Sequence, residues 1–245
     1  ALMPAGELQE IQAAELNAVM GPYVGVAAIL LLVWIAIAIT KMPEAKEEDQ
    51  HNTDFFGTLK RLFHNKNYRQ GVMAQFFYVG AQIGVWSFTI RYVMLELNVN
   101  EEQASTYYLA ALILFTVSRF LFTGLMKFVK PGVLLTISAI LAIITTLFVV
   151  FGNGYVGVIS LVAISGFMSL MFPTIYGISV RGLGNDTKIG GSGLIMAILG
   201  GAVLTAIQGQ VSDLTGNIHY AFFVPAICFV IIAAYGMVAA KRNPE

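Results

Sequence analysis

Pro131-Gly132-Val133-Leu134-Leu135-Thr136-Ile137-Ser138-Ala139-Ile140-Leu141-Ala142-Ile143-Ile144-Thr145-Thr146-Leu147-Phe148-Val149-Val150-Phe151 contains no charged residue. A helix needs about 20 apolar residues to cross a bilayer, and this run supplies them. Lys127 and Lys130 stand before it, while the connection after it, Gly152-Asn153-Gly154, has no Lys or Arg. The same alternation extends in both directions. Apolar runs fall at 22–40, 70–95, 104–128, 131–151, 154–180, 189–212 and 219–240. Basic residues fill the second gap (Lys41, Lys46, Lys60, Arg61, Lys66, Arg69), the fourth, the sixth (Arg181, Lys188) and the C-terminal end (Lys241, Arg242). Arg119 lies on the Lys127 side of its run, and only Arg91 breaks the pattern. Positive charge stays cytoplasmic, which places the first residues outside and Glu245 inside.

The composition agrees with a membrane-embedded chain. It is 57% hydrophobic and 11% charged, too apolar for a water-soluble domain of this length. The basic residues sit at membrane edges without an aromatic-basic surface, which argues against nucleic-acid binding. Cys228 is the single cysteine, so disulfides and thiolate metal sites are excluded. Ala1-Leu2-Met3-Pro4 lacks the basic n-region and apolar core of a cleavable signal. Seven spans that start outside without such a signal read as the C-terminal part of a longer membrane protein.

Three regions follow. Residues 1–40 are an external segment, helical over Glu7–Met20, and a first span in whose opening turn Pro22 fits. Residues 41–69 are a cytoplasmic linker. It opens on the solvated stretch Glu44-Ala45-Lys46-Glu47-Glu48-Asp49. Then Phe55, Phe56, Leu59, Leu62 and Phe63 recur at helical spacing opposite Lys60, Arg61 and His64, the pattern of an amphipathic helix on the inner membrane surface. Residues 70–245 hold six spans with short connections, expected to pack as one all-α bundle.

The second run carries the strongest chemical signal. Gln75, Tyr78, Gln82, Trp86 and Thr89 fall within roughly 80° of one another on a helix. Lipid offers no partner to an amide, so this face looks into protein or a water-filled cavity. Amides pair with sugar hydroxyls as donor and acceptor, and aromatic faces cover the C–H side of a pyranose ring. Interhelical hydrogen bonding by the same glutamines is the competing reading. In the fifth span Ser165, Ser169, Pro173 and Gly177 form a ridge, and Pro173 should kink the helix. Phe172 and Tyr176 flank that kink, available either to a central cavity or to packing. In the sixth span Gly193, Ala197, Gly201, Thr205 and Gly209 repeat every four residues, a small-residue ridge for close helix packing, widened by Gly190, Gly191 and Gly200. Asp186 and Asp213 read as turn formers or caps. No Asp or Glu falls within a run, and no His, acid or cysteine cluster lies at membrane depth. That leaves no catalytic centre, no metal site and no proton carrier in these spans.

Several stretches in order are similar to one family. Ala74-Gln75-Phe76-Phe77-Tyr78-Val79-Gly80-Ala81-Gln82 with Val85-Trp86-Ser87 and Ile90-Arg91-Tyr92 resembles the seventh transmembrane helix of the bacterial L-fucose–proton symporters, in the major facilitator superfamily. The resemblance continues through Ser118-Arg119-Phe120, Phe172-Pro173-Thr174-Ile175, Gly182-Leu183-Gly184-Asn185-Asp186-Thr187-Lys188 and Val211-Ser212-Asp213. It implies two six-helix halves around a cavity in the bacterial cytoplasmic (inner) membrane. This chain would be the C-terminal half preceded by the sixth helix. The resemblance also implies no cofactor, with the proton as coupling ion and its carrier residues in the N-terminal half. The partners implied are a monosaccharide, the membrane lipid and that missing half of the same polypeptide. Gln75, Tyr78, Gln82, Trp86, Phe172 and Tyr176 would contribute one wall of the sugar site.

Leu170-Met171-Phe172 and Gln208 depart from the family pattern. The substrate expected first is L-fucose, with glucose, galactose or an amino sugar as alternatives. A seven-helix photoreceptor shares the topology, but the last run has no Schiff-base lysine and there is no second cysteine for a stapled receptor. A natural half chain that dimerises would lack any membrane carboxylate and support at most passive transport.

Overall fold

The computed structural model describes residues 5–39 and 55–242, helices and turns with no strand among them. The chain divides into two compact units, Ala1–Thr53 and Asp54–Glu245.

The first unit contains α1 (Ala5–Ile39), one helix that passes through Pro22 without the expected boundary. A proline inside a helix removes one backbone bond, and the remaining ladder carries the helix on. Its apolar part is Tyr23–Ala36. The charged linker stretch 44–49, Lys41, Lys46 and His51 lie outside the described residues.

In the second unit, five helical segments among the described residues are long and apolar enough to cross a membrane: Glu101–Leu125, Pro131–Phe151, Tyr155–Val180, Gly184–Thr215 and Ile218–Arg242. They match the last five apolar runs. The run at 70–95 becomes α3 (Lys66–Leu97), 32 residues long but too polar for that group. Its polarity follows from its position. Five later helices, α4 (Glu101–Leu125), α6 (Tyr155–Met168), α7 (Met171–Val180), α9 (Leu199–Thr215) and α11 (Phe223–Arg242), pack on α3, where Gln75, Tyr78 and Thr89 are buried away from lipid while Ser87 and Arg91 stay exposed. Asn65 starts α3, its Oδ1 accepting from the backbone N–H of Asn67 (3.0 Å) and Tyr68 (3.2 Å). Asn98, at φ 51°, ends it in the left-handed conformation.

Of the five membrane-length segments, α4 (Glu101–Leu125) is the least enclosed, burying only Ala104 and Ala111. α5 (Pro131–Phe151) opens on a proline, where the missing N–H costs nothing. The fifth run splits into α6 (Tyr155–Met168) and α7 (Met171–Val180). The break at Ser169–Leu170 sits where Pro173 demands it, since a proline ring clashes with the carbonyl four residues before. The sixth run splits as well, into α8 (Thr187–Met196) and α9 (Leu199–Thr215), with no proline to announce it. The short α10 (Ile218–Ala221) leads into α11 (Phe223–Arg242). α11 lies along α5 so closely that a Cβ on Gly132 would stand 2.6 Å from the backbone nitrogen of Ala240. Tyr78, Tyr92, Phe222 and Phe229 are fully buried in the hydrophobic core.

The amphipathic helix of the linker is α2 (Phe55–His64), and it packs with the bundle. Leu62 is buried in a cluster with Tyr68 and Leu194, while Phe55, Phe56 and Phe63 stay exposed. Arg61 meets Asp186 through two bonds, Nη2 to Oδ1 at 2.7 Å and Nε to Oδ2 at 2.9 Å. Thr58 Oγ1 donates to the same carboxylate at 3.3 Å. Asp186, expected to form a turn or cap, precedes α8 but caps nothing with its side chain. Its carboxylate clips α2 to the start of α8, because a bidentate guanidinium outcompetes a backbone amide for it.

Candidate functional site

The break in the fifth run builds the centre of the site. Interrupting a helix leaves its last carbonyls without intrahelical partners. One of them, the carbonyl of Met168, accepts from the hydroxyl of Tyr78 at 3.1 Å. On the other side of the break Phe172 meets the Tyr78 ring edge-to-face, centroids 6.1 Å apart. Two turns along α3, Trp86 Nε1 donates to Ser165 Oγ at 3.2 Å, and its ring meets Phe115 at 5.1 Å. The guanidinium of Arg119 lies over that Phe115 ring, 5.5 Å from the centroid, a cation–π arrangement. A hydrogen bond and an edge-to-face ring contact thus fix each aromatic of the α3 face.

The amides differ from the aromatics. Gln75 is 0% exposed, and neither its Oε1 nor its Nε2 has a hydrogen-bond partner among the described residues. Gln82 is half-buried, as is Trp86. Thr89 is buried and its hydroxyl bonds back to the carbonyl of Val85 at 2.7 Å. The structure brings together Tyr78, Trp86 and Phe172 with Ser165, Phe115 and Arg119. Tyr176 is not part of this group. It packs with the Leu62–Tyr68–Leu194 cluster, its hydroxyl close to Gly191.

The small-residue ridge packs against α3 along its length. A Cβ on Gly193 would stand 2.2 Å from Tyr68 Oη, one on Gly201 3.0 Å from Ile83, and one on Gly209 4.0 Å from Phe88. Ala197 is buried, Thr205 half-buried and Pro173 exposed. The tightest approach belongs to Gly200, one residue off the every-four series, where a Cβ would stand 2.0 Å from the carbonyl oxygen of Phe76. The break between α8 and α9 shifts the phase of the ridge by that residue.

Sequence reading missed Arg119 and Phe115 as site neighbours, and Gln208 as a member of the α3–α9 contact. Gln208 is fully buried, its Oε1 pressed onto Gly84 and its amide without a hydrogen-bond partner among the described residues. Arg119 carried one legible signal, a cation inside an apolar run. Among the described residues no group of His, Cys, Asp and Glu could hold a metal ion. A cavity of about 390 Å³ between α2, α3 and α8 is lined by Leu59, Phe63, Arg69 and Met196, and one of about 260 Å³ between α3 and α11 by Met73 and Ile231. None of the α3 face residues lines either.

No protein-family model matches the chain. It is 38% identical over 241 residues to an L-fucose-proton symporter of Haemophilus influenzae, covering 96% of this chain and 56% of that protein. With an L-fucose-proton symporter of Escherichia coli the identity is 39% over 219 residues, covering 87% and 50%. A glucose/galactose transporter of Brucella abortus is 34% identical over 236 residues, covering 93% and 55%. A crystal structure of the Escherichia coli fucose:proton symporter superposes with a TM-score of 0.85 at 35% identity, over 97% of this chain and 59% of its own. A structure of a major facilitator superfamily transporter in the outward conformation gives the same score over 97% and 58%. The chain spans about half the length of the relatives it matches.

Proposed function

We propose that this chain, similar in fold and sequence to one portion of a major facilitator superfamily transporter, forms the second half, with the helix before it, of a proton-coupled monosaccharide symporter. The substrate proposed is L-fucose, and uptake proceeds by alternating access of two halves around a central sugar site. The observation that carries this reading is Gln75. In a chain 38% identical to an L-fucose-proton symporter, a buried amide with two unspent hydrogen-bonding atoms stands on the same helix face as Tyr78 and Trp86. Its partner in this reading is a sugar hydroxyl, which can both donate and accept, reached when alternating access opens the face on which Gln75 is now 0% exposed.

The aromatics then do what a sugar wall requires. Trp86, half-buried with its Nε1 committed to Ser165, keeps part of a fixed ring surface for the apolar side of a pyranose, while the fully buried Tyr78 holds the helix break at Met168. Arg119 adds an exposed cation beside that wall. In the second unit, the acidic residues of the described helices (Glu96, Glu101, Glu102, Asp186, Asp213) stand at or near helix ends. The proton carrier is accordingly assigned to the other half. The same wall would serve a glucose/galactose carrier, a reading favoured by the Brucella relative.

Calorimetry on the purified transporter with L-fucose, D-glucose and D-galactose tests both readings. Gln75→Ala should weaken binding of the true substrate by about 1–3 kcal/mol, the cost of leaving a buried hydroxyl unpaired. Unchanged affinity in Gln75→Ala and Gln82→Ala together would return these residues to helix packing, and a heat only with glucose or galactose would reassign the substrate.

A further inference from the structure

Where α3 and α5 finish and α6 and α10 begin, residues from three distant stretches of the chain converge. Glu96 Oε1 stands 2.7 Å from His219 Nε2, and Glu96 Oε2 accepts the backbone N–H of Gly154 at 2.5 Å. The other ring nitrogen, His219 Nδ1, lies 3.0 Å from the carbonyl oxygen of Val149. Val149 is in the last turn of α5, where carbonyls lack intrahelical partners, and its oxygen also accepts from the Tyr92 hydroxyl at 2.9 Å. The Glu96 and His219 side chains are only 13% and 15% exposed.

Counting hydrogens decides what this cluster holds. A carbonyl oxygen only accepts, so His219 Nδ1 carries a hydrogen. A neutral imidazole with that hydrogen presents a bare lone pair at Nε2, and an ionised carboxylate also only accepts. Two lone pairs facing each other at 2.7 Å repel. The contact is a bond only when one proton lies between them, as imidazolium with carboxylate or as carboxylic acid with imidazole.

We infer that Glu96 and His219 form a binding site for one proton, taken from and returned to the water at this end of the bundle. Glu96 belongs to α3, Gly154 to the turn before α6 and His219 to α10, so the proton fastens two chain connections to the end of the helix that carries the polar face. The inference is independent of which sugar is carried. The other titratable and charged groups at this end are Tyr92 and Arg91 of α3, Glu101 and Glu102 of α4, Tyr155 of α6, Asp213 of α9 and Tyr220 of α10; α5 and α11 bring none to it. Only Tyr92 meets the pair, ring to ring with His219 at 5.0 Å, and its hydroxyl is committed to Val149. The side chains of Arg91, Glu101, Glu102 and Asp213 make no ion pair or hydrogen bond among the described residues.

The test is nitrogen NMR of the imidazole rings in the purified, histidine-labelled full chain, over a pH series that spans about pH 5 to pH 8, where imidazole ordinarily changes charge. His51→Gln and His64→Gln variants isolate the His219 signals. Expected at the acid end is a His219 Nε2 signal shifted from that of a bare imidazole nitrogen, reverting as the proton leaves. Exchange of the Gly154 amide, corrected for its intrinsic pH dependence, should rise at least about tenfold over the same interval as the charge-assisted pair opens. In Glu96→Gln the side-chain amide donates to Nε2 without an added proton, so both changes should disappear. A bare-nitrogen signal at Nε2 throughout that range in the unmodified protein overturns the inference, irrespective of the variants.

Discussion

Replacing Gly200 with alanine tests the packing that sets α9 against α3. The added Cβ would stand 2.0 Å from the carbonyl oxygen of Phe76, 2.7 Å from its carbonyl carbon and 3.1 Å from its Cα. Even a favourable C–H···O contact needs about 3.3 Å, so α9 must withdraw from α3 by roughly 1 Å. No rotamer relieves this, because the obstacle is backbone. Withdrawal also loosens Gly201 from Val79 and Ile83, and Leu204 from Gly80, forfeiting dispersion contacts along the seam. Overpacking costs typically 1–3 kcal/mol, and a backbone obstacle belongs at the upper end, about 3 kcal/mol. For a chain of this size that lowers the melting temperature by about 6–12 °C. Gly177→Ala is the control: it too is helical, but no atom lies within 4 Å of its Cβ, so the change should be neutral or stabilise by up to about 1 kcal/mol. Thermal unfolding in detergent, followed by circular dichroism, separates the two. Equal melting of Gly200→Ala and the parent protein would refute the close approach.

Two further outcomes follow from the same geometry. Tyr78→Phe removes the donor to Met168 and leaves a buried carbonyl unpaired, an expected loss of about 1–2 kcal/mol in the same melting assay; an unchanged melting temperature would mean that the break at Ser169–Leu170 does not depend on this bond. Cysteines at Asn185 and Thr215, both exposed and at opposite ends of the Gly184–Thr215 segment, should react with an impermeant maleimide from opposite sides of sealed vesicles, Thr215→Cys from outside. Labelling of both from one side would contradict the charge-based topology.

Much of this architecture is legible in the sequence because it is local. The uncharged run from Pro131 to Phe151 becomes one helix with those bounds. The alternation of Gln75, Tyr78, Gln82 and Trp86 identifies the helix that the others enclose, and Pro173 marks a break four residues before itself. What the sequence hides is contact between distant segments. No proline marks the interruption at Ala197–Ile198, which lies beside the close backbone approach of Gly200 to Phe76 on another helix. Asp186 reads locally as a cap, and its partner Arg61 lies 125 residues away. Glu96 and His219, 123 residues apart, each look like an ordinary helix-end residue until the fold joins them.

The central claim is tested most directly by uptake of labelled L-fucose into proteoliposomes under an inward proton gradient. The transporter containing this chain should accumulate the sugar above its external concentration, and a protonophore should abolish the excess. The same 245 residues reconstituted alone should not accumulate it, because uphill transport needs a group whose protonation changes with access, and the helices here place none at membrane depth. Protonophore-sensitive accumulation by this chain alone would contradict the account and put the proton carrier within these residues.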